Sequence, residues 1–182
     1  MAILVACDIN YFNLYAKPLA NSLKAKTTLG KVYFSVCLEE RSRTAYAKQR
    51  FYDARKIDEP ELIILDADTV VVKDFTLPEG KTGLILRPDR TRGLQVAAGM
   101  VVVRDRGFLD AVCSRLDAYD EWTADQRALW EAYEAYKSEY FDLSSYVCFG
   151  PEEGDAHKPV WSAKGNRKKY DKEFLRVLES YQ

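Results

Sequence analysis

This 182-residue chain has only one histidine, His157, and four scattered cysteines. Cys7, Cys37, Cys113 and Cys148 stand far apart with no Cys-x-x-Cys spacing, so buried reduced thiols in a cytoplasmic protein are expected. No apolar run approaches the roughly 20 residues that a spanning helix needs, and no membrane segment is expected. Neither charge sign dominates: 27 Lys and Arg meet 28 Asp and Glu, which argues against a generally basic nucleic-acid binder but leaves room for a local basic face. No glycine-rich phosphate loop follows the first apolar run, which counts against a nucleotidyltransferase. Repeats and low-complexity tracts are missing as well. What is present is a chain 47% apolar, enough for a sizeable core, and the expectation is one domain over residues 1–182.

The order of patterns is that of an α/β protein. Ile3 to Cys7 reads as a strand ending at Asp8, and apolar positions through Leu23 follow helical spacing. Val32 to Leu38 is a second strand, Ala45 to Lys56 a helix carrying Arg50 and Phe51, and Leu62 to Leu65 a third strand. This βαβαβ alternation predicts a parallel sheet with right-handed crossovers, which puts Asp8 and Asp66 on one edge. Gly83 to Arg87 and Val96 to Val103 add strands and make the sheet mixed. Phe108 to Tyr119 and Ala124 to Tyr136 read as helices, the second with Thr123 as N-cap, and Phe149 to Lys169 as a loop before a last helix around Phe174 to Tyr181.

The most informative segment is Leu62 to Val71, where a buried strand delivers Asp66 and Asp68 to the carboxyl edge of the sheet, the edge at which α/β proteins bind ligands. The two acids lie on the same side of an extended backbone, and paired hard oxygen ligands suit Mg²⁺ or Mn²⁺; the alternative is a strand-to-loop turn in which they only accept backbone amides. Ala97, Ala98 and Gly99 open a strand with small residues beside which a bulky ligand fits, unless Gly99 simply marks a bulge. Asp125 and Gln126 offer a carboxylate and an amide to vicinal hydroxyls, or cap a helix. Lys164, Arg167, Lys168 and Lys169 beside Gly165 suit a diphosphate, or form a solvated basic loop. His157 is a candidate third metal ligand, although a histidine in a polar loop is more often without a special role.

The order Ala-Cys-Asp-x-Asn-Tyr, Lys-Gln-Arg-Phe, Leu-Asp-Ala-Asp-Thr, Ala-Ala-Gly-Met-Val-Val, Asp-Gln and Ala-Lys-Gly-Asn-Arg-Lys resembles that of nucleotide-sugar glycosyltransferases of the GT-A fold, spanning Val5 to Lys168. It is most similar to the retaining, glycogenin-like and lipopolysaccharide galactosyltransferase-like branch. The resemblance implies a Rossmann-like, mixed but mainly parallel sheet flanked by helices, with Ala6, Asp8 and Tyr11 around the nucleoside and Arg50 near the donor. It further implies Mn²⁺ or Mg²⁺ on the Asp66-x-Asp68 motif, Ala98 and Gly99 beside the donor sugar, Asp125 and Gln126 contacting that sugar, and Lys164, Gly165 and Lys168 on the diphosphate. One departure stands out: the family's usual histidine before the Gly-Lys turn is replaced by Trp161-Ser162-Ala163, so His157, or water with Ser162, would have to complete the metal shell.

The implied reaction is transfer of a sugar from a nucleoside diphosphate sugar, expected to be a UDP-sugar, to a hydroxyl with retention. An inverting enzyme would need a carboxylate base such as Asp125 or Asp89. The small size suits a phage-type enzyme modifying a hydroxymethylated pyrimidine in DNA, with Arg87, Arg90, Arg92, Arg104, Arg106 and the Lys164 to Lys172 cluster tracking phosphates, unless these are ordinary solvated residues. A saccharide or protein acceptor, and a non-catalytic sugar-nucleotide-binding module, are the alternatives.

Overall fold

A computed structural model describes residues 1–28, 30–38, 42–87, 95–136 and 140–182 of the chain. Strands β1 (Ala2–Asp8), β2 (Lys31–Cys37) and β3 (Leu62–Leu65) are mutually parallel, with β1 in the middle. β3 pairs antiparallel with β6 (Val96–Val103), which pairs antiparallel with β5 (Thr82–Leu86), and β5 takes β7 (Tyr140–Asp142) in parallel at the far edge. The sheet order is β2-β1-β3-β6-β5-β7, and only β6 runs against the rest. The chain is thus the expected mixed, mainly parallel α/β fold.

Side-chain alternation explains why its central strands are apolar throughout. Leu4, Leu62, Ile64, Val101 and Val103 pack on one face under α3 (Arg43–Lys56), α4 (Arg106–Leu116) and α5 (Ala124–Tyr136). Their neighbours Ile3, Val5, Ile63, Leu65, Met100 and Val102 pack on the other face with Leu19 and Leu23 of α2 (Lys17–Lys26). Both faces are covered, so both alternating sets must be apolar. The segment leading into α2 is irregular, with α1 (Ile9–Tyr11) passing into a π-helical stretch at Phe12–Ala16. Asp8 caps α1 by accepting the Tyr11 amide at 2.7 Å.

Several elements lie where no strand was expected. β4 (Val70–Val71), β8 (Val147–Cys148) and β9 (Val160–Trp161) form a small second sheet in the order β4-β9-β8, sealed by Phe174 and Leu178 of α7 (Lys172–Ser180). The segment read as a loop from Phe149 to Lys169 therefore contains β9, a 3-10 turn at Pro151–Glu153 and most of α6 (Arg167–Tyr170). By pairing with β4, the strand directly after Asp68, β9 carries the Lys164 to Lys168 segment back to the aspartates.

Candidate functional site

The site forms where the parallel strands end. β1 brings Ala6 and Asp8 to this edge and β3 brings Asp66 and Asp68. Because β6 runs the other way, its first half, with Ala98 and Gly99, arrives at the same edge, where the Asp66 amide donates to the Gly99 carbonyl at 3.0 Å. The β5–β6 register slips between Leu84 and Ile85, whose partners are Val101 and Ala97, so the small residues sit at an irregularity in the ladder. A Cβ on Gly99 would stand 2.9 Å from Lys164 Nζ and 3.3 Å from Asp66 Oδ2. The glycine leaves room for those two side chains to meet. Gly165 has φ +60°, the left-handed conformation that glycine adopts at little steric cost, at the turn between Lys164 and Lys168.

Arg50, on α3, is the hub. Its Nη1 donates to Asp66 Oδ1 at 2.7 Å and its Nη2 to Asp125 Oδ2. Lys164 Nζ donates to Asp66 Oδ2, while Lys168 Nζ donates to Asp68 Oδ2 at 2.8 Å and to the Tyr11 hydroxyl. Burial alone would raise the Asp66 carboxyl, but the charges of Lys164 and Arg50 overcome it and hold the pKa below the usual value. For Asp125 burial wins: its pKa is raised despite Arg50, and the nearby Asp66 charge adds to the effect. Burial opposes the Arg50 charge too, yet its two carboxylates push its pKa above the ordinary arginine value. Lys168 behaves alike, with burial outweighed by Asp68.

These side chains line a cleft of two joined lobes. The larger, about 920 Å³, is bounded by Asp8, Tyr11, Asp66, Asp68, Gly165 and Lys168. The smaller, about 450 Å³, is bounded by Arg50, Asp66, Ala98, Asp125, Gln126 and Lys164, and Ala6 borders both. In the smaller lobe Arg50 Nε and Gln126 Oε1 are buried with no hydrogen-bond partner among the described residues, one able to donate and the other to accept.

Of the residues singled out from sequence, Ala6, Asp8, Tyr11, Arg50, Asp66, Asp68, Ala98, Gly99, Asp125, Gln126, Lys164, Gly165 and Lys168 are brought together. His157 is not. It is exposed on a turn before β9, its carbonyl accepts from Lys73 Nζ at 3.0 Å, and neither it nor Ser162 lines the cleft. Among the described residues no three His, Cys, Asp or Glu side chains are grouped to hold a metal ion. Asp66 and Asp68 still suit a hard cation of the Mg²⁺ type, which is held by one or two carboxylates and otherwise by substrate phosphates and water. Trp122, Arg43 and Tyr46 border both lobes and were not anticipated. Arg43, Tyr46, Ala47 and Arg50 follow i, i+3, i+4, i+7 spacing on α3, a signal that was readable in the sequence.

The proposed phosphate-tracking arginines separate: Arg87 borders the smaller lobe of the cleft, whereas Arg104 and Arg106 do not. Arg104 is tied to Glu61 and to the carbonyls of Pro78, at 2.7 Å, and Gly80, at 2.8 Å. Arg106 holds the carbonyls of Ala54, at 3.1 Å, and Ile57. Both lie at the amino edge of the parallel strands, opposite the cleft, because they follow the antiparallel β6. Asp89, Arg90 and Arg92 lie outside the described residues.

No protein-family model and no curated protein matches the sequence. Solved structures do match in fold. The apo-form glycosyltransferase GlyE of Streptococcus pneumoniae TIGR4 superposes with TM-score 0.69 at 14% identity, over 99% of this chain and 59% of that one. The apo structure of the bifunctional glycosyltransferase WbbM gives 0.69 at 11% identity, over 98% and 49%. A glycosyltransferase involved in glycosylation of the major capsid of PBCV-1 gives 0.72 at 14% identity, over 96% and 98%. The chain thus shares the fold of these solved structures and spans about half to three fifths of the first two neighbours.

Proposed function

We propose that the chain is a metal-dependent glycosyltransferase, moving a sugar from a nucleoside diphosphate sugar, a UDP-sugar in the first instance, to an acceptor hydroxyl with retention. The observation that carries this reading is the face-to-face arrangement of Asp66 and Asp68 with Lys164 and Lys168 in a two-lobed cleft whose smaller end holds Arg50, Asp125 and Gln126. The nucleoside would lie toward Asp8 and Tyr11, the diphosphate against Lys164, Gly165 and Lys168, and the sugar in the smaller lobe. A sugar hydroxyl both donates and accepts, which matches the open Gln126 Oε1 and Arg50 Nε.

Asp66 and Asp68 would hold Mn²⁺ or Mg²⁺, which supplies Lewis-acid charge to the diphosphate when bound. Lys164 and Lys168 would offset the negative charge that grows as the bond from the anomeric carbon to the phosphate oxygen breaks. Asp125, held by Arg50, faces the positive charge developing on the sugar. The acceptor oxygen forms its bond on the face the phosphate leaves, and its proton passes to the departing phosphate, so no strong protein base is needed.

For the acceptor we favour a saccharide or protein hydroxyl over a hydroxymethylated base in DNA, because Arg104 and Arg106 are engaged at the opposite edge. The capsid-glycosylating neighbour, matched over nearly its whole length, supports the same choice. A thermal-shift panel of UDP- and GDP-sugars with Mn²⁺ tests the donor: one nucleotide series should raise the melting temperature by mass action, and no shift with any of them would contradict the proposal. Salt-dependent DNA binding in a gel shift, with sugar transfer to hydroxymethylated DNA, would overturn the acceptor choice.

A further inference from the structure

The two lysines of the Gly165 turn are each ion-paired with an aspartate of the Asp66-x-Asp68 motif. Lys164 Nζ sits against Asp66 Oδ2 and Lys168 Nζ lies 2.8 Å from Asp68 Oδ2, while Arg50 Nη1 takes the other oxygen of Asp66 at 2.7 Å. Three cations are therefore matched by three carboxylates, since Arg50 also holds Asp125. The Lys168–Asp68 pair is well sheltered, its side chains 16% and 13% exposed. A bare divalent ion binding Asp66 and Asp68 would add charge to a group already balanced, and it would strand displaced ammonium groups without a counter-charge. A metal bound to a nucleoside diphosphate brings phosphate oxygens to which those ammonium groups can transfer as they leave the aspartates.

We infer that this site takes its metal as the chelate with a nucleoside diphosphate and discriminates against the free ion, with Lys164 and Lys168 enforcing the choice. The inference rests on the function proposed above. Gly99 belongs to the device, because a side chain there would press on the Lys164–Asp66 contact. Coupling of this kind is reciprocal: the nucleotide tightens the metal by the factor by which the metal tightens the nucleotide.

Mn²⁺ titrations followed by electron paramagnetic resonance, with and without UDP or GDP, test it. UDP or GDP should tighten Mn²⁺ binding to the unaltered chain about tenfold or more. Lys164→Ala and Lys168→Ala should bind Mn²⁺ alone about fivefold or more tighter, yet bind the nucleotide alone more weakly. Opposite signs cannot come from a damaged fold, which would lose both ligands. Lys164→Arg, which keeps the charge, should not show the tighter binding of Mn²⁺ alone expected of Lys164→Ala. Equal Mn²⁺ affinity with and without nucleotide, or alanine variants no tighter for Mn²⁺, would overturn the inference and leave the proposed function standing. Failure of Mn²⁺ to bind the chain or its variants in any of these mixtures would overturn both.

Discussion

Arg50 gives the sharpest test of how the site is held. It is 8% exposed and ion-paired to both Asp66 and Asp125, so among the described residues Arg50→Ala leaves buried Asp125 with the Gln126 amide, at 2.7 Å, as its remaining donor. Asp66 keeps Lys164. Deleting one partner of a buried pair costs about 3–5 kcal/mol, because the other charge is left without compensation. At a urea m-value of about 2 kcal/mol/M, the unfolding midpoint should fall by about 1.5–2.5 M at neutral pH. The sign of the pH dependence follows from Asp125, whose pKa burial already raises despite Arg50. Without Arg50 it rises further while the unfolded value stays near about 3.9. The folded state then resists ionisation, so the deficit is full above the folded pKa and its Asp125 component disappears below about pH 4, where both states are protonated. Adding Asp125→Ala should recover part of the loss. A loss under about 1 kcal/mol, or one equal at pH 4 and pH 8, would refute the reasoning.

Gly99→Ala should change the unfolding midpoint little, since the atom it meets most closely is the far end of the long Lys164 side chain, yet weaken UDP in a calorimetric titration; an unchanged titration would contradict the close approach. Asp171 is 2% exposed and caps α7 by accepting the Phe174 amide at 3.0 Å, so Asp171→Ala should cost about 1–2 kcal/mol in denaturant unfolding. Burial would raise Asp53, but hydrogen bonds from Lys56, Ser35 and Gln49 outweigh it and hold its pKa below the usual value. Its contribution is therefore full above the unfolded pKa of about 3.9 and lost as pH falls through the folded value; Asp53→Asn should cost about 1 kcal/mol at pH 7 and almost nothing once Asp53 is protonated in the parent.

The sheet was legible where strands are buried on both faces: Leu62–Leu65 and Val96–Val103 appear as apolar runs with the boundaries found in the structure. The direction of β6 was not legible, because an apolar run is the same whichever way it pairs, and that direction decides which edge receives Gly99 and which receives Arg104. β4, β8 and β9 are two residues each, too short to show a period of two, so the second sheet was hidden. The Asp66–Asp68 pair and the lysines around Gly165 were legible as separate motifs, because each is local in sequence. Their pairing across about a hundred residues was not, nor was the role of Arg50 as the link between Asp66 and Asp125. His157 drew attention as the only histidine, but the turn that carries it is committed elsewhere.

The most direct test of the central claim is nucleoside diphosphate release from a UDP-sugar or GDP-sugar by the purified chain with added Mn²⁺, compared with Asp68→Ala. The account predicts release that depends on Mn²⁺ and is lost in Asp68→Ala while that variant keeps its circular dichroism spectrum and cooperative unfolding. Release that persists in Asp68→Ala, or that is indifferent to Mn²⁺ and chelator, would contradict it.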